Sequence, residues 1–307
     1  MKLYYAIDDF IFQDIDYGKV VSRMPMWVSD AGIFPESTFS KDVYEKLKNK
    51  SSHPIFEKFI YHTDLCGKLA AIQDRFEATI MYIRKLYDLV PCTTEYSESE
   101  YTIRSRSFGQ RETKAHMLLN SIFVAYASIF DLLTKVAIEQ FEYNNYDFSK
   151  YKKMKCSGVI FNKSIRNIDP SLKTDNMLFS EPIVIRKIES FRNEFVHNGP
   201  WDLRCSIYCM SPNSDPGDVL IYSPDMDENG NFVSSGSRNK FYSQANRINV
   251  QLPDLLNEAT SILKNTINQL AKLYKDGTTR KENEEYTKEC LEAINAWHDS
   301  LIQQNNN

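Results

Sequence analysis

Three polar residues are grouped near the end of one predicted helix, and their side-chain types suit acid–base chemistry on a phosphate. They are Arg192, Asn193 and His197. Arginine stays charged at every relevant pH, and its planar fork can hold a phosphate group. Histidine has an ordinary pKa near ~6.5, so it can accept and donate a proton at neutral pH. Asparagine can hold a phosphate oxygen or the imidazole in place.

Together these groups are sufficient for metal-free cleavage of RNA. The ribose 2′-hydroxyl is deprotonated, attacks the adjacent phosphorus and displaces the 5′-oxygen, which leaves a 2′,3′-cyclic phosphate. In this chemistry His197 is the general acid and base, and Arg192 stabilises the negative charge that develops on the phosphorane. Asn193 is the positioning group. We therefore interpret the three residues as catalytic, with no metal and no cofactor.

One amphipathic helix carries these residues. Ser180 is predicted as its N-cap, with Glu181 and Pro182 in the first turn. Asn198 and Gly199 end it. The apolar residues fall in one narrow arc and predict the buried face: Val184, Ile188, Phe191 and Phe195.

The spacing of the catalytic residues sets a geometric problem. At about 100° per residue, Arg192 and His197 differ by about 140° around the helix, so one isolated helix does not aim both at one phosphate. A two-fold dimer offers an easier solution, in which two copies of this helix end meet and share a cleft. We therefore expect a homodimer with a composite active site.

Further long helices are predicted from apolar residues that repeat at spacings of three and four. They span residues 54–90, 111–143 and 252–277, and a final one spans 281–303. Gly and Pro are sparse (10 and 11), which also favours helices. The fold class is therefore mainly α.

The helix over 111–143 has a narrow polar side that includes Ser128 and Asp131. A solvated surface stripe is a sufficient explanation of these residues. If this helix lies beside the catalytic one, Asp131 and Ser128 are candidates to orient Arg192 or His197.

The segment 92–110 is polar and lacks periodicity, so we predict a connecting loop. Arg104, Arg106 and the adjacent Arg111 make it locally basic. A solvated loop explains these arginines, and contact with an RNA backbone is the functional alternative.

A small antiparallel β insertion is predicted at about 201–250, where the hydrophobic period changes from 3.6 to 2. Its strands are expected at 204–210, 218–222 and 240–250, with a tight turn at Asn229-Gly230. Residues 1–53 form an N-terminal extension without a clear pattern. The predicted domains are thus this extension and a helical domain over 54–307 that contains the insertion.

Composition narrows the location and the partners. The chain has 307 residues and a net charge of −4, so RNA would have to bind a local basic patch. Six dispersed cysteines favour reduced thiols, and no segment reaches the ~18 apolar residues of a membrane span. We expect a cytoplasmic protein that does not bind a membrane. The aspartates near the N-terminus and the Cys205–Cys209 pair lack metal-site partners, so no metal is predicted.

At Arg192, Asn193 and His197 the sequence resembles the HEPN superfamily. Its hallmark is arginine, a polar residue that is often asparagine, three residues and histidine, near the C-terminal end of a bundle helix. The resemblance covers roughly residues 60–276 and implies a HEPN-like four-helix bundle.

The resemblance implies a metal-independent endoribonuclease that acts in prokaryotic antiviral defence, as a toxin or in RNA processing. Such a protein forms a homodimer and can be paired with a regulatory or antitoxin protein. Family members paired with a nucleotidyltransferase antitoxin often have tyrosine two residues after the histidine. Here that residue is Gly199, which argues against modification by that route. The alternative implied by the same resemblance is a non-catalytic module that dimerises and binds RNA or protein.

Overall fold

Helices make up most of the described chain, so the prediction of a mainly α fold is confirmed. A computed structural model describes residues 53–90, 104–106, 110–145, 168–199, 201, 207–210, 219–236, 239–244 and 246–273. The helices in this part are α1 (His53–Leu89), α2 (Gln110–Asn145), α3 (Ile183–Asn198) and α4 (Ile248–Leu273). The strands are β1 (Arg104–Arg106), β2 (Ile207–Met210), β3 (Val219–Ile221), β4 (Ser234–Ser235) and β5 (Asn239–Lys240).

Helix α3, which carries the catalytic candidates, has the predicted buried face and the predicted end. Val184, Ile188, Phe191 and Phe195 are all buried. Gly199 follows the last helical residue with a φ of 79°, a backbone conformation that favours glycine. The 3.6-residue period and the glycine stop were therefore sufficient to place this helix and its end.

The predicted start of α3 is wrong. Ser180 does not cap the helix, because its hydroxyl donates to the carbonyl of Met177 at 2.8 Å and closes a short 3-10 turn (Leu178–Ser180). Glu181 takes a left-handed conformation with a φ of 51°, so it cannot belong to the first turn. Pro182 occupies the N-cap position, and helix α3 begins at Ile183.

The β insertion is confirmed in its strands at 207–210 and 219–221, but two predictions are wrong. Strand β2 pairs antiparallel with β3 and also with β1, with Arg106 opposite Tyr208. The segment 92–110 therefore contains an edge strand rather than only a loop. The predicted strand over 240–250 is absent, because β5 ends at Lys240 and helix α4 begins at Ile248.

A compact segment follows β3, which we call the segment 225–241 and of which residues 225–236 and 239–241 are described. It turns at the predicted Asn229-Gly230 dipeptide. Asp225 holds it together: its N–H donates to the carbonyl of Phe241 and its carbonyl accepts from the N–H of Val233. Burial by itself raises the pKa of the Asp225 carboxyl, but hydrogen bonds from the Ser243 hydroxyl and from backbone N–H groups outweigh burial and lower that pKa.

The described residues belong to two compact units. One unit contains residues 72–131 and 171–266, and it includes the whole of α3. The other contains 53–71, 132–145, 168–170 and 267–273. In the second unit a buried ion pair joins Lys68 Nζ to Glu139 Oε1 at 3.0 Å. The predicted domain boundary at residue 53 lies at the edge of the described chain and stays a prediction.

Helix α4 contains Pro253 near its start, and the first unit compensates for this proline. Proline has no N–H, so the carbonyl of Asn249, four residues earlier, loses its usual helical donor. The hydroxyl of Tyr87 donates to that carbonyl at 2.6 Å instead. Asn249 also fixes the sheet, because its side-chain oxygen accepts the N–H of Ile221 at 3.1 Å.

Tyr87→Phe is expected to lower the free energy of unfolding by about 1–3 kcal/mol, because the buried carbonyl of Asn249 loses the donor that replaces the helical one. Pro253→Ala restores an N–H to the helix, so the same tyrosine substitution should cost less in that background. Denaturant unfolding of the four proteins in a double-mutant cycle measures this difference. Ser243→Ala, which removes a hydrogen bond to Asp225 outside α4, serves as the control, since its cost should not depend on residue 253. If Tyr87→Phe lowers the free energy of unfolding equally in both backgrounds, the Tyr87 hydroxyl does not compensate for the proline.

One helix bears on the expectation that no segment reaches the length and apolarity of a membrane span, and the expectation that the protein does not bind a membrane stays a prediction. Within α2, Thr113–Phe141 is long and apolar enough to cross a bilayer, with a mean hydropathy of 1.6 over an 18-residue window. That window is 67% buried inside the protein, as in the core helix of a globular fold. The segment is therefore weak evidence for a membrane span.

Several sequence predictions lie outside the described residues. They are the N-terminal extension up to residue 52, the end of α4 near Gly277 and the final helix over 281–303.

Candidate active site

The catalytic candidates lie on the last two turns of α3. Asn193 and His197 are exposed, and Arg192 is half-buried. The guanidinium Nη1 of Arg192 donates a hydrogen bond to Oδ1 of Asn193 at 2.7 Å. An asparagine carbonyl oxygen in this position orients the arginine fork.

This hydrogen bond changes the geometric problem that the sequence posed. The backbone positions of Arg192 and His197 diverge by about 140°, whereas Asn193 and His197 are only about 40° apart and one turn from each other. Because the guanidinium is held against Asn193, it lies toward the side of the helix that carries His197. A single copy of α3 therefore presents the three groups on one side of its end, and the helical angle alone does not require a second copy.

The segment 225–241 covers a second side of α3. Phe232 packs edge-on against Phe191, with ring centroids 5.2 Å apart. Gly230 lies so close to the start of the helix that a Cβ on it would be 3.1 Å from Cγ of Lys187 and 3.3 Å from the carbonyl of Ile183. With the core face also buried, the side of the helix that is exposed in the described part of the chain carries Asn193 and His197.

A buried carboxylate fixes the final turn. Glu194 lies inside the catalytic stretch and its side chain is only 10% exposed. Its Oε2 is 3.2 Å from Nζ of Lys240, on strand β5, and it accepts a hydrogen bond from Nδ2 of Asn198 at 2.9 Å. Lys240 also lies over the ring of Phe232, at 5.3 Å from its centroid. None of these contacts was predicted from the sequence.

Aromatic stacking anchors the buried face of the same turns. Phe123 of α2 stacks on Phe191, with ring centroids 4.5 Å apart. Trp201 packs against Phe195 at 4.8 Å, and its indole N–H donates to the carbonyl of Tyr222 at 2.9 Å. The catalytic turn is therefore held by large buried rings, which restrict its movement.

The proposed supporting residues on α2 stay predictions. The hydroxyl of Ser128 donates to the carbonyl of Ala125 within its own helix at 2.6 Å. Asp131 lies one turn further along α2 and is half-buried.

The three arginines proposed to contact RNA do not belong to one loop. Arg104 and Arg106 alternate on the edge strand β1, so their positions share one face of the sheet. Arg111 lies in the first turn of α2.

Among the described residues, no three histidine, cysteine, aspartate or glutamate side chains are grouped to hold a metal ion. The carboxylate of Asp227 is hydrogen-bonded within its own turn, since its Oδ1 accepts the N–H groups of Asn229 and Asn231 at 2.9 and 2.8 Å. These bonds, led by that from the N–H of Asn231, lower the pKa of Asp227.

Comparisons with known protein families, with curated proteins and with solved structures find no match to this chain.

Proposed function

We propose that the protein is a metal-independent endoribonuclease whose reacting groups are Arg192, Asn193 and His197. The observation that carries the proposal is the hydrogen bond of 2.7 Å that draws the guanidinium of Arg192 onto Asn193, one turn from the exposed His197. The order of these residues near a helix end is that of the HEPN superfamily. A HEPN-like four-helix bundle is part of the proposal.

The reaction transfers the phosphoryl group within the RNA chain. The imidazole of His197 takes the proton of a ribose 2′-hydroxyl, whose oxygen forms a bond to the adjacent phosphorus. The bond from phosphorus to the 5′-oxygen breaks, and this oxygen takes up a proton. Arg192 binds the non-bridging oxygens and stabilises the phosphorane, and Asn193 orients the guanidinium. The products are a 2′,3′-cyclic phosphate and a 5′-hydroxyl.

The two proton transfers of this reaction are the reason for proposing a homodimer. In an in-line displacement, the attacking and leaving oxygens lie on opposite sides of phosphorus. One imidazole reaches both sides with difficulty, whereas two copies of α3 that meet at their free sides supply one imidazole to each. An exposed apolar residue next to His197 on α3, Val196 (47% exposed), would be covered by such a contact.

The test is incubation of the purified protein with single-stranded RNA in the presence of EDTA. We expect cleavage products with a 2′,3′-cyclic phosphate and a 5′-hydroxyl, and no cleavage of a DNA strand of the same sequence, because DNA lacks the 2′-hydroxyl. Products with a 5′-phosphate would contradict the mechanism.

The exposed Ile183 and Val196 also favour the alternative, a non-catalytic module that dimerises or holds RNA or a protein. This module predicts binding without turnover at any protein concentration. We place the protein in the cytoplasm, in prokaryotic defence or as a toxin under the control of a regulatory protein. The genes beside its own would test this role, since a toxin is expected next to its inhibitor.

A further inference from the structure

The β segment 225–241 and the catalytic turn of α3 are joined through one buried carboxylate. Glu194 lies between the proposed catalytic residues in sequence, and its Oε2 is 3.2 Å from Nζ of Lys240. Both side chains are 10% exposed. A charge removed from water to this degree requires a partner of opposite charge, so this contact constrains the position of both elements.

The same oxygen reaches the last residue of the helix. Asn198 donates to Glu194 Oε2 at 2.9 Å, and His197 precedes Asn198 in this final turn. The last turn of a helix leaves backbone carbonyls without helical donors and tends to fray. Here a side-chain bond across one turn, itself fixed by a lysine from a strand, holds that turn. The final turn, which contains His197, is therefore joined to Lys240, a residue 43 positions beyond His197 in the chain.

We infer that Glu194 and Lys240 are positioning residues that hold His197 in its reactive orientation, and that the β segment 225–241 is the element that supplies this support. The inference rests on the proposed endoribonuclease function. Neither residue touches the RNA. Lys240 acts through Glu194, and Glu194 acts through Asn198 and the backbone of the final turn.

Substitution of Glu194 or Lys240 should lower kcat and leave KM little changed. Arg192, which holds the phosphate, keeps its bond to Asn193 when Glu194 or Lys240 is changed, so RNA binding should persist. A displaced imidazole slows proton transfer, and a misplacement of about 1 Å can cost up to about 100-fold in rate. We expect Glu194→Gln and Lys240→Met each to lower kcat by about 10- to 100-fold with KM little changed. Lys240→Arg keeps the charge and should retain most of the activity.

Controls separate positioning from loss of stability. The double variant Glu194→Gln/Lys240→Met leaves no buried charge unpaired, so it should fold. It still lacks the ion pair between α3 and β5, so its kcat should stay low. Tyr126→Phe removes a buried hydrogen bond to Thr260 elsewhere in the same unit. It should lower stability without lowering kcat when both are measured below the unfolding midpoint. Glu181→Gln, in the exposed pair with Arg186, is the matched change of an acid at the other end of α3.

Amide hydrogen exchange of residues 195–198 gives a readout that does not need catalysis. These amides should exchange at least about tenfold faster in Glu194→Gln and Lys240→Met than in wild type, and not in Glu181→Gln. Unchanged exchange there would overturn the inference whether or not the protein cleaves RNA. If wild type cleaves no RNA but the amides exchange faster in both variants than in wild type, the proposed function is overturned. The support of the final turn by Glu194 and Lys240 is then still established. Cleavage by wild type together with an unchanged kcat in both variants would overturn the inference alone.

Discussion

His197→Ala is expected to lower kcat for RNA cleavage by about 10²- to 10⁴-fold, the usual contribution of a general acid–base group. The imidazole of His197 is exposed, so its removal buries no polar group and leaves no cavity. The free energy of unfolding should therefore stay within about 0.5 kcal/mol of wild type. Arg192→Ala should cost about 10²- to 10³-fold in kcat, because the guanidinium stabilises charge that develops in the transition state.

Single-turnover cleavage of a labelled RNA in EDTA measures both effects, and thermal unfolding of the same samples excludes misfolding. Arg186→Ala is the matched control for Arg192. It removes an exposed arginine from the same helix, together with a surface ion pair to Glu181 at 3.5 Å. It should retain most of kcat. Wild-type rates in both His197→Ala and Arg192→Ala would exclude these residues as the catalytic groups.

A mixture of wild type with an excess of His197→Ala distinguishes a composite site from a site within one chain. In the heterodimer, a site that needs one imidazole from each copy keeps only one of the two. The cleavage rate per wild-type chain should therefore fall as the variant is added and subunits are exchanged. If each site is complete within one chain, the wild-type copy of the heterodimer keeps its activity, and the rate per wild-type chain stays constant.

The helices were predictable because each buries one face, and burial imposes a period that the sequence displays. Val184, Ile188, Phe191 and Phe195 of α3 follow this period and are buried. Their positions were correct without any knowledge of what they pack against, since the pattern depends only on the geometry of the helix.

Elements that depend on a distant partner were not predictable in the same way. Strand β1 has three residues, too few to show alternation, and it forms because β2 pairs with it more than 100 residues later in the chain. The start of α4 was mistaken for a strand because its apolar residues also fit a period of two. Pro253 did not mark the start of the helix, because it is the sixth residue of α4, where proline removes a helical hydrogen bond.

The candidate site likewise has a part that was predictable from local sequence and a part that depends on a distant partner. The spacing of Arg192, Asn193 and His197 was visible in the sequence, because a motif within six residues needs no tertiary information. The ion pair of Glu194 with Lys240 was not, because its second member comes from the β segment. A local signal did exist: Glu194 lies between Phe191 and Phe195 on the border of the buried face, where a carboxylate needs a partner.

Acid is expected to destabilise the first unit through one buried histidine. His116 of α2 is 3% exposed and packs edge-on against Trp201, with ring centroids 5.7 Å apart. Burial lowers the pKa of His116 from 6.5 to about 4. Between these two values the unfolded chain binds a proton at this residue and the folded chain does not, so stability falls as the pH falls. The contribution is fully present above pH 6.5 and is lost progressively toward pH 4, below which both states are protonated.

A lowering of the pKa from 6.5 to about 4 corresponds to about 3 kcal/mol, which is a large part of the stability of a typical domain. Denaturant unfolding of wild type and of His116→Phe between pH 7 and pH 4 measures it. The phenylalanine variant keeps a ring against Trp201 but cannot titrate, so its stability should decline by about 3 kcal/mol less over this range. Asp225 and Asp227 have lowered pKa values and lose their contributions only below about pH 3.8, so they do not produce this difference. Parallel pH profiles for the two proteins would show that His116 is protonated in the folded state at mildly acidic pH, and that its burial does not control the acid sensitivity of this unit.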